Sequence, residues 1–176
     1  MDIKKSGLVG SAIERFLQTE DKSGEQMAMD LNISSQHLSN MKQGRRTMQS
    51  DIARESIARY DSPEYAMEVL WEFSSNYTSP VLRGNAIEQH RLAMEANAKR
   101  EIEQALHIIQ TVCLAKPPEV LTQIEKDAVK KMADELIEAR VLIDNFLKQI
   151  QIDYKIPIKD RIKALIPTWK SKGWLQ

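Results

Sequence analysis

Residues 34–46 put short amides and hydroxyls on one side of a helical spacing and three cations at its end. At 3.6 residues per turn Leu38 and Met41 share an inner face, with Ile33 filling the corner, while Ser35, Gln36, Ser39 and Asn40 fall on the outer face. The chemistry open to that outer face is hydrogen bonding to flat edges rich in donors and acceptors. A side-chain amide donates and accepts at once and can pair with adenine, and a hydroxyl takes either role. Lys42, Arg45 and Arg46, with Gln43 among them, follow at the far end, where cations neutralise phosphates without reading sequence. The stretch holds three cations and no acid, so positive charge is focused there.

Positioning such a face takes a second helix and a sharp turn, and residues 23–34 carry the signals for both. Ser23 followed by Gln26 is a capping box, which satisfies orphan backbone donors and predicts a helix from about Gly24. Met27 and Leu31 lie four apart on its inner face, and Ala28 between them is small enough to let another helix approach. Asn32 tolerates a left-handed backbone and so can end that helix abruptly. Ser34 caps the next helix, and Gly44 closes it.

The stretch resembles the helix-turn-helix of the lambda-repressor/Cro-like (XRE) family. The matching residues are Ala28, Asn32 where the family usually has Gly, the apolar Ile33, Leu38 and Met41, and the Gly44-Arg45-Arg46 ending. The resemblance extends over residues 1–75 and implies a five-helix DNA-binding domain. Ser35, Gln36 and Asn40 would then face base edges with Ser39 beside them, and Lys42, Gln43, Arg45 and Arg46 would lie near phosphates. It also implies a dimer reading paired half-sites about one helical turn apart. The chain departs from the family at Gly24, where many members carry a phosphate-clamping Gln; Gln26 sits two positions too late to replace it.

Around this pair the chain reads as helix. Residues 8–20 carry the stripe Val9, Ala12, Ile13, Phe16 and Leu17, and residues 47–60 turn Met48, Ile52, Ile57 and Tyr60 inward. Ser62-Pro63-Glu64 then supplies a cap, a first-turn proline and a favourably placed acid for a fifth helix dense in Tyr65, Met67, Val69, Leu70, Trp71 and Phe73. Residues 76–85 form a linker marked by serine, proline and glycine. Two long helices are expected over residues 86–116 and 118–153, parted by Pro117-Pro118 and folded as an antiparallel hairpin. Leu121, Ile124, Ala128, Met132, Leu136, Ala139, Ile143, Phe146 and Ile150 make a seam on the second, and Leu136, Ile143, Phe146 and Ile150 are the expected dimer or partner surface. In the first the seam runs from Ile102 through Ala105, Leu106, Ile109 and Val112, and Cys113 is expected in the core.

Residues 154–176 are basic and amphipathic. A short helix carrying Ile158, Ile162, Leu165 and Ile166 should be broken by Pro167, with Trp169 and Trp174 beyond. Such a segment can lie on an anionic membrane, bind a partner or dock its apolar face on the hairpin. The whole is an all-α expectation: a five-helix head, a helical hairpin and a short C-terminal helix.

Composition narrows the function. Lys plus Arg and Asp plus Glu number 25 each, and residues 1–80 carry 9 basic against 12 acidic side chains, a poor balance for a non-specific nucleic-acid binder. The single cysteine cannot form an internal disulfide, which fits a reducing cytoplasm. No stretch is apolar enough to span a bilayer, and the charged start lacks a signal peptide's hydrophobic region. His37, His90 and His107 are scattered without metal-ligand spacing, and there is no Gly-rich phosphate loop or recognisable nucleophile, so neither an enzyme nor a cofactor is expected. Two functions remain: a dimeric transcriptional repressor of double-stranded DNA, or an inhibitor or adaptor acting on a protein through the C-terminal helices, its head autoregulatory or used for docking.

Overall fold

Apolar residues at helical spacing become helix throughout residues 3–176, the part of the chain that the computed structural model describes. The order is β1 (Ser6–Gly7), α1 (Gly10–Thr19), α2 (Gly24–Asp30), α3 (Ser35–Lys42), β2 (Met48–Gln49), α4 (Ser50–Arg59), α5 (Pro63–Phe73), α6 (Arg91–Thr111), a 3-10 turn at Pro118–Val120, α7 (Gln123–Tyr154) and α8 (Ile158–Ser171). Among the described residues the chain is all-α apart from one two-stranded antiparallel pair, Ser6 opposite Gln49 and Gly7 opposite Met48. No described helix is long and apolar enough to cross a membrane. The chain divides into two units, one comprising the residues up to Val81 with Pro157–Gln176 and the other Leu82–Ile156.

In the first unit the inward stripes of α1 to α5 meet in one core. Ile13, Met27 and Met48 are fully enclosed, with Ala28, Leu38, Met41, Val69 and Phe73 around them. Phe16, Tyr60 and Tyr65 cluster with ring centroids 4.5 to 6.3 Å apart, tilted or edge-on as aromatic quadrupoles prefer. The Tyr65 hydroxyl donates to Ser56 Oγ at 2.9 Å, and Ser56 Oγ donates to the Ala53 carbonyl at 2.8 Å, so these two buried hydroxyls are satisfied. Burial pushes the Tyr65 phenol up to about 12.

The strand pair is the feature that helical periodicity does not reveal. It delays α4 to Ser50 instead of Thr47, because residues 48–49 run extended and Met48 drops into the core. The N-terminal segment is tied down by Lys4 Nζ to Glu72 Oε1 at 2.9 Å and by Ser50 N donating to the Lys5 carbonyl at 2.9 Å. Gly7 is required by contact: a Cβ there would lie 2.7 Å from Glu72 Cγ. Ser62 does not cap α5 through its side chain, leaving Pro63 and Glu64 as the start signals.

In the second unit α6 and α7 pack together. Four expectations change here and in α8. Helix α6 begins at Arg91, not Ala86, where His90 Nδ1 accepts from Leu92 N at 3.3 Å; residues 82–90 are instead held in irregular conformation, with Leu82 N donating to Asn145 Oδ1 at 2.9 Å and Lys148 Nζ to Gln89 Oε1 at 2.9 Å. Helix α6 ends at Thr111, so Cys113 lies past its end and is exposed, not in the core. Thr111, Val112 and Cys113 are weak helix formers, and Thr111 Oγ1 turns back to the Ile108 carbonyl at 3.2 Å. Helix α7 begins after Thr122, whose capping box with Glu125 outcompetes the start at Pro118. Finally, α8 runs through Pro167 to Ser171 without breaking, and none of its residues is buried.

Candidate nucleic-acid interface

The local signals around α2 and α3 are all realised. Ser23 Oγ accepts from Gln26 N at 3.1 Å and Gln26 Oε1 accepts from Ser23 N at 3.1 Å, closing the capping box. Asn32 adopts φ +52°, and the chain reverses there with Ile33 N donating to the Ala28 carbonyl at 3.0 Å. Ser34 Oγ accepts from His37 N at 3.1 Å and starts α3. Leu38 and Met41 are buried, fixing which side of α3 faces outward.

Three further contacts hold α3 and its neighbour. Gly10 at the start of α1 lies directly against the end of α3, where a Cβ would stand 2.5 Å from the Lys42 carbonyl oxygen and 2.8 Å from that of Met41. Gly44 at φ +69° reverses the chain, and Arg45 N and Arg46 N both donate to the Asn40 carbonyl, at 2.9 and 3.2 Å. Asp30 at the end of α2 accepts from the Tyr60 hydroxyl at 3.0 Å and from Arg59 at 2.8 Å, binding α2 to the end of α4. The Tyr60 hydrogen bond, then Arg59, hold the Asp30 carboxyl below its ordinary range; burial, then Asp30, push the Tyr60 phenol well up.

The outward face comprises Ser35 and Gln36, exposed in the first turn of α3, and Ser39 and Asn40, half-buried in the second. Gln36 Nε2 donates to Asn40 Oδ1 at 3.2 Å, so the two amides lie side by side one turn apart. Lys42, Gln43, Arg45 and Arg46 are all exposed, and none of the three cations has an acidic partner among the described residues. All eight residues singled out from sequence for this face therefore sit together on or beside α3.

Two residues at the face do not follow from the sequence pattern. Glu25 lines a cleft of ≈ 320 Å³ with Ser23, Gly24, Ser35, Ser39 and Lys42. Its place in the first turn of α2 is legible as a helix-dipole partner, but its closeness to α3 depends on the turn angle. His37 Nε2 is buried with no hydrogen-bond partner among the described residues. The charge of the head is also not what residues 1–80 suggest. With Pro157–Gln176, the first unit carries 14 basic and 13 acidic side chains.

The remaining candidates lie in the second unit. On α7 Leu136 is 40% and Ile143 37% exposed, while Phe146 and Ile150 are half-buried. Carboxylate oxygens of Glu101, Glu135 and Glu138 come within 4.8 Å of one another across the two helices, and Arg100 pairs with Glu101 at 3.0 Å. This is an acidic edge already partly neutralised by the chain itself.

Comparison of the chain with protein-family models, with curated proteins and with solved structures finds no match in any of the three.

Proposed function

We propose that the chain is a sequence-specific DNA-binding regulator of the lambda-repressor/Cro-like helix-turn-helix kind, acting as a dimeric repressor in the cytoplasm. In this reading α2 and α3 are the helix-turn-helix and α3 enters the major groove. The observation that carries it is the hydrogen-bonded Gln36–Asn40 pair on the outward face of α3, followed by three cations with no acidic partner among the described residues. Amides one helical turn apart meet successive base edges, and their mutual hydrogen bond limits the rotamers that must be ordered on binding. Lys42, Arg45 and Arg46 would neutralise flanking phosphates. Repression would follow from occlusion, two such helices in successive major grooves blocking access to the same duplex.

The reading splits into two measurable parts. Gln36→Ala or Asn40→Ala should cost about 1–3 kcal/mol on the preferred site and relax its sequence preference, whereas Arg45→Ala should weaken all duplexes alike and flatten the salt dependence. Titrations of one specific and one scrambled duplex at several salt concentrations separate the two. Parent-like binding by all three variants would remove α3 as the reading helix.

A second reading is favoured by the exposed aliphatic side chains of the hairpin: an inhibitor or adaptor that binds another protein through α6 and α7. Groove binding weakens steeply as salt rises, and an apolar protein complex hardly responds, so salt dependence discriminates the two.

A further inference from the structure

Helix α8 keeps its apolar residues on one side and cations along both borders of that side. At about 100° per residue Ile158, Ile162, Leu165, Ile166 and Trp169 fall within an arc of about 100°, the width of an amphipathic stripe. Lys159, Lys163 and Lys170 line one border of the arc and Arg161 the other, while Asp160 and Pro167 lie opposite it. Residues 157–176 hold five cations, and Asp160 is their one acid. None of α8 is buried: Ile162 and Leu165 are 47% and 42% exposed, and Ile158, Ile166 and Trp169 are half-buried. The end of the helix adds a second indole. Gly173, at φ +71°, closes α8 in a Schellman turn, its N–H donating to the Lys170 carbonyl and Trp174 N to the Trp169 carbonyl, both at 2.9 Å. Trp174 is thereby returned to the end that carries Trp169; it is 68% exposed, with Lys172 Nζ 4.6 Å from its ring centroid.

We infer that α8 docks on the surface of an anionic lipid bilayer, lying in its plane with the stripe immersed and the bordering cations among the headgroup phosphates. The inference goes beyond the DNA-binding reading and does not depend on it. A planar, negatively charged interface complements cations on both borders of one apolar arc, because each lysine stem can run along the apolar boundary and bring its ammonium to a headgroup. Indole rings favour the same depth, with the apolar body inward and the N–H toward water. Lying flat is all that the helix can do, since no described helix is long and apolar enough to cross a membrane. Other occupants use less of α8. Duplex phosphates would take the cations and leave the aliphatic stripe in water. A second copy, meeting the stripe about a two-fold axis, would set positive borders against positive borders.

The test is co-sedimentation of the full chain at low salt with phosphatidylcholine vesicles, either pure or carrying about one phosphatidylglycerol in four lipids. The parent should pellet with the anionic vesicles and stay in solution with the neutral ones. Lys163→Gln with Lys170→Gln, which keeps helix propensity, should weaken binding about twentyfold, or about fivefold per cation. Ile162→Ser with Leu165→Ser should weaken it about tenfold or more. All four positions are exposed, and circular dichroism checks that each variant keeps its helix. Lys126→Gln with Lys130→Gln, which removes the same charge from exposed positions on α7, should bind as the parent does. A parent that ignores anionic vesicles, or pellets with both kinds alike, overturns the inference. So does an equal loss in the α7 variant, or parent-like binding by the serine variant, which would leave charge alone at work. If vesicles fail and Lys163→Gln with Lys170→Gln instead lowers affinity for duplex DNA, the cations belong to the duplex; the role of α3 is decided separately by Gln36→Ala.

Discussion

The α2–α3 pair and the α6–α7 hairpin are both two helices joined by a connection, and they use their side chains in opposite ways. In α2–α3 the apolar residues Met27, Ala28, Leu38 and Met41 are buried, and the outward side is amide, hydroxyl and cation. In α6–α7 Met94, Ala98, Ala105 and Ala139 are buried together with the polar Glu101, Asn145 and Lys148, while Ile102, Leu106 and Ile109 remain about half exposed. A helix pair whose apolar residues are consumed internally offers only its polar face for recognition. One whose large residues point outward offers its apolar face. The first arrangement suits a hydrated, charged ligand such as duplex DNA, and the second a dry protein surface.

The largest effect that could break this contrast is expected at Gly10. Gly10→Ala would normally help a helix, but its Cβ meets the Lys42 and Met41 carbonyls, so α3 must shift. A loss of about 2–3 kcal/mol from the head is expected, read as a lower urea midpoint, with DNA binding lost and the hairpin signals unchanged by NMR. An equal disturbance in α6 and α7 would show that the two units do not behave separately.

A smaller effect sharpens the electrostatic half of the comparison. Glu25 lines the cleft with Ser35, Ser39 and Lys42, where it would oppose the phosphate of a bound duplex, yet its first-turn position favours α2. Glu25→Gln should therefore tighten DNA binding several-fold at low salt while lowering thermal stability slightly. Unchanged affinity would place the phosphate path away from the start of α2.

The smallest effect concerns the hairpin and acid. The Lys116 ammonium, then Thr122, hold the Glu125 carboxyl down at about 2 from an ordinary 4.5, so the cap of α7 is favoured at neutral pH. Because the folded value is the lower one, this contribution is complete above 4.5 and fades as pH falls toward about 2. Fraying at the start of α7 across that window is expected by NMR, and Glu125→Gln should abolish its pH dependence.

How much of this was legible in the sequence differs between the same two regions. For α2–α3 almost everything local was readable, because Ser23, Gln26, Asn32, Ser34 and Gly44 each act on backbone within a few residues. The strand pair was not, since Met48 leaves the helical pattern only to satisfy a core formed by distant residues. In the hairpin the periodicity announced two helices but not which flank of each would be inward. Alanines at Ala98, Ala105 and Ala139 attract no attention beside Leu106 and Ile143, yet they permit the close approach and so decide the contact face. Thr122 with Glu125 marks the start of α7, but the Pro117-Pro118 pair drew the expected boundary five residues too early. The cleft that Glu25 and Lys42 both line and the three-carboxylate edge arise between elements, and no spacing in the sequence encodes them.

The claim on which the rest depends is that the outward face of α3 reads duplex DNA. Selection of random duplexes on the purified full chain at moderate salt tests it most directly. The account predicts an enriched inverted repeat, its half-sites about one helical turn apart and its enrichment lost in Gln36→Ala. A folded protein that enriches no sequence would contradict it.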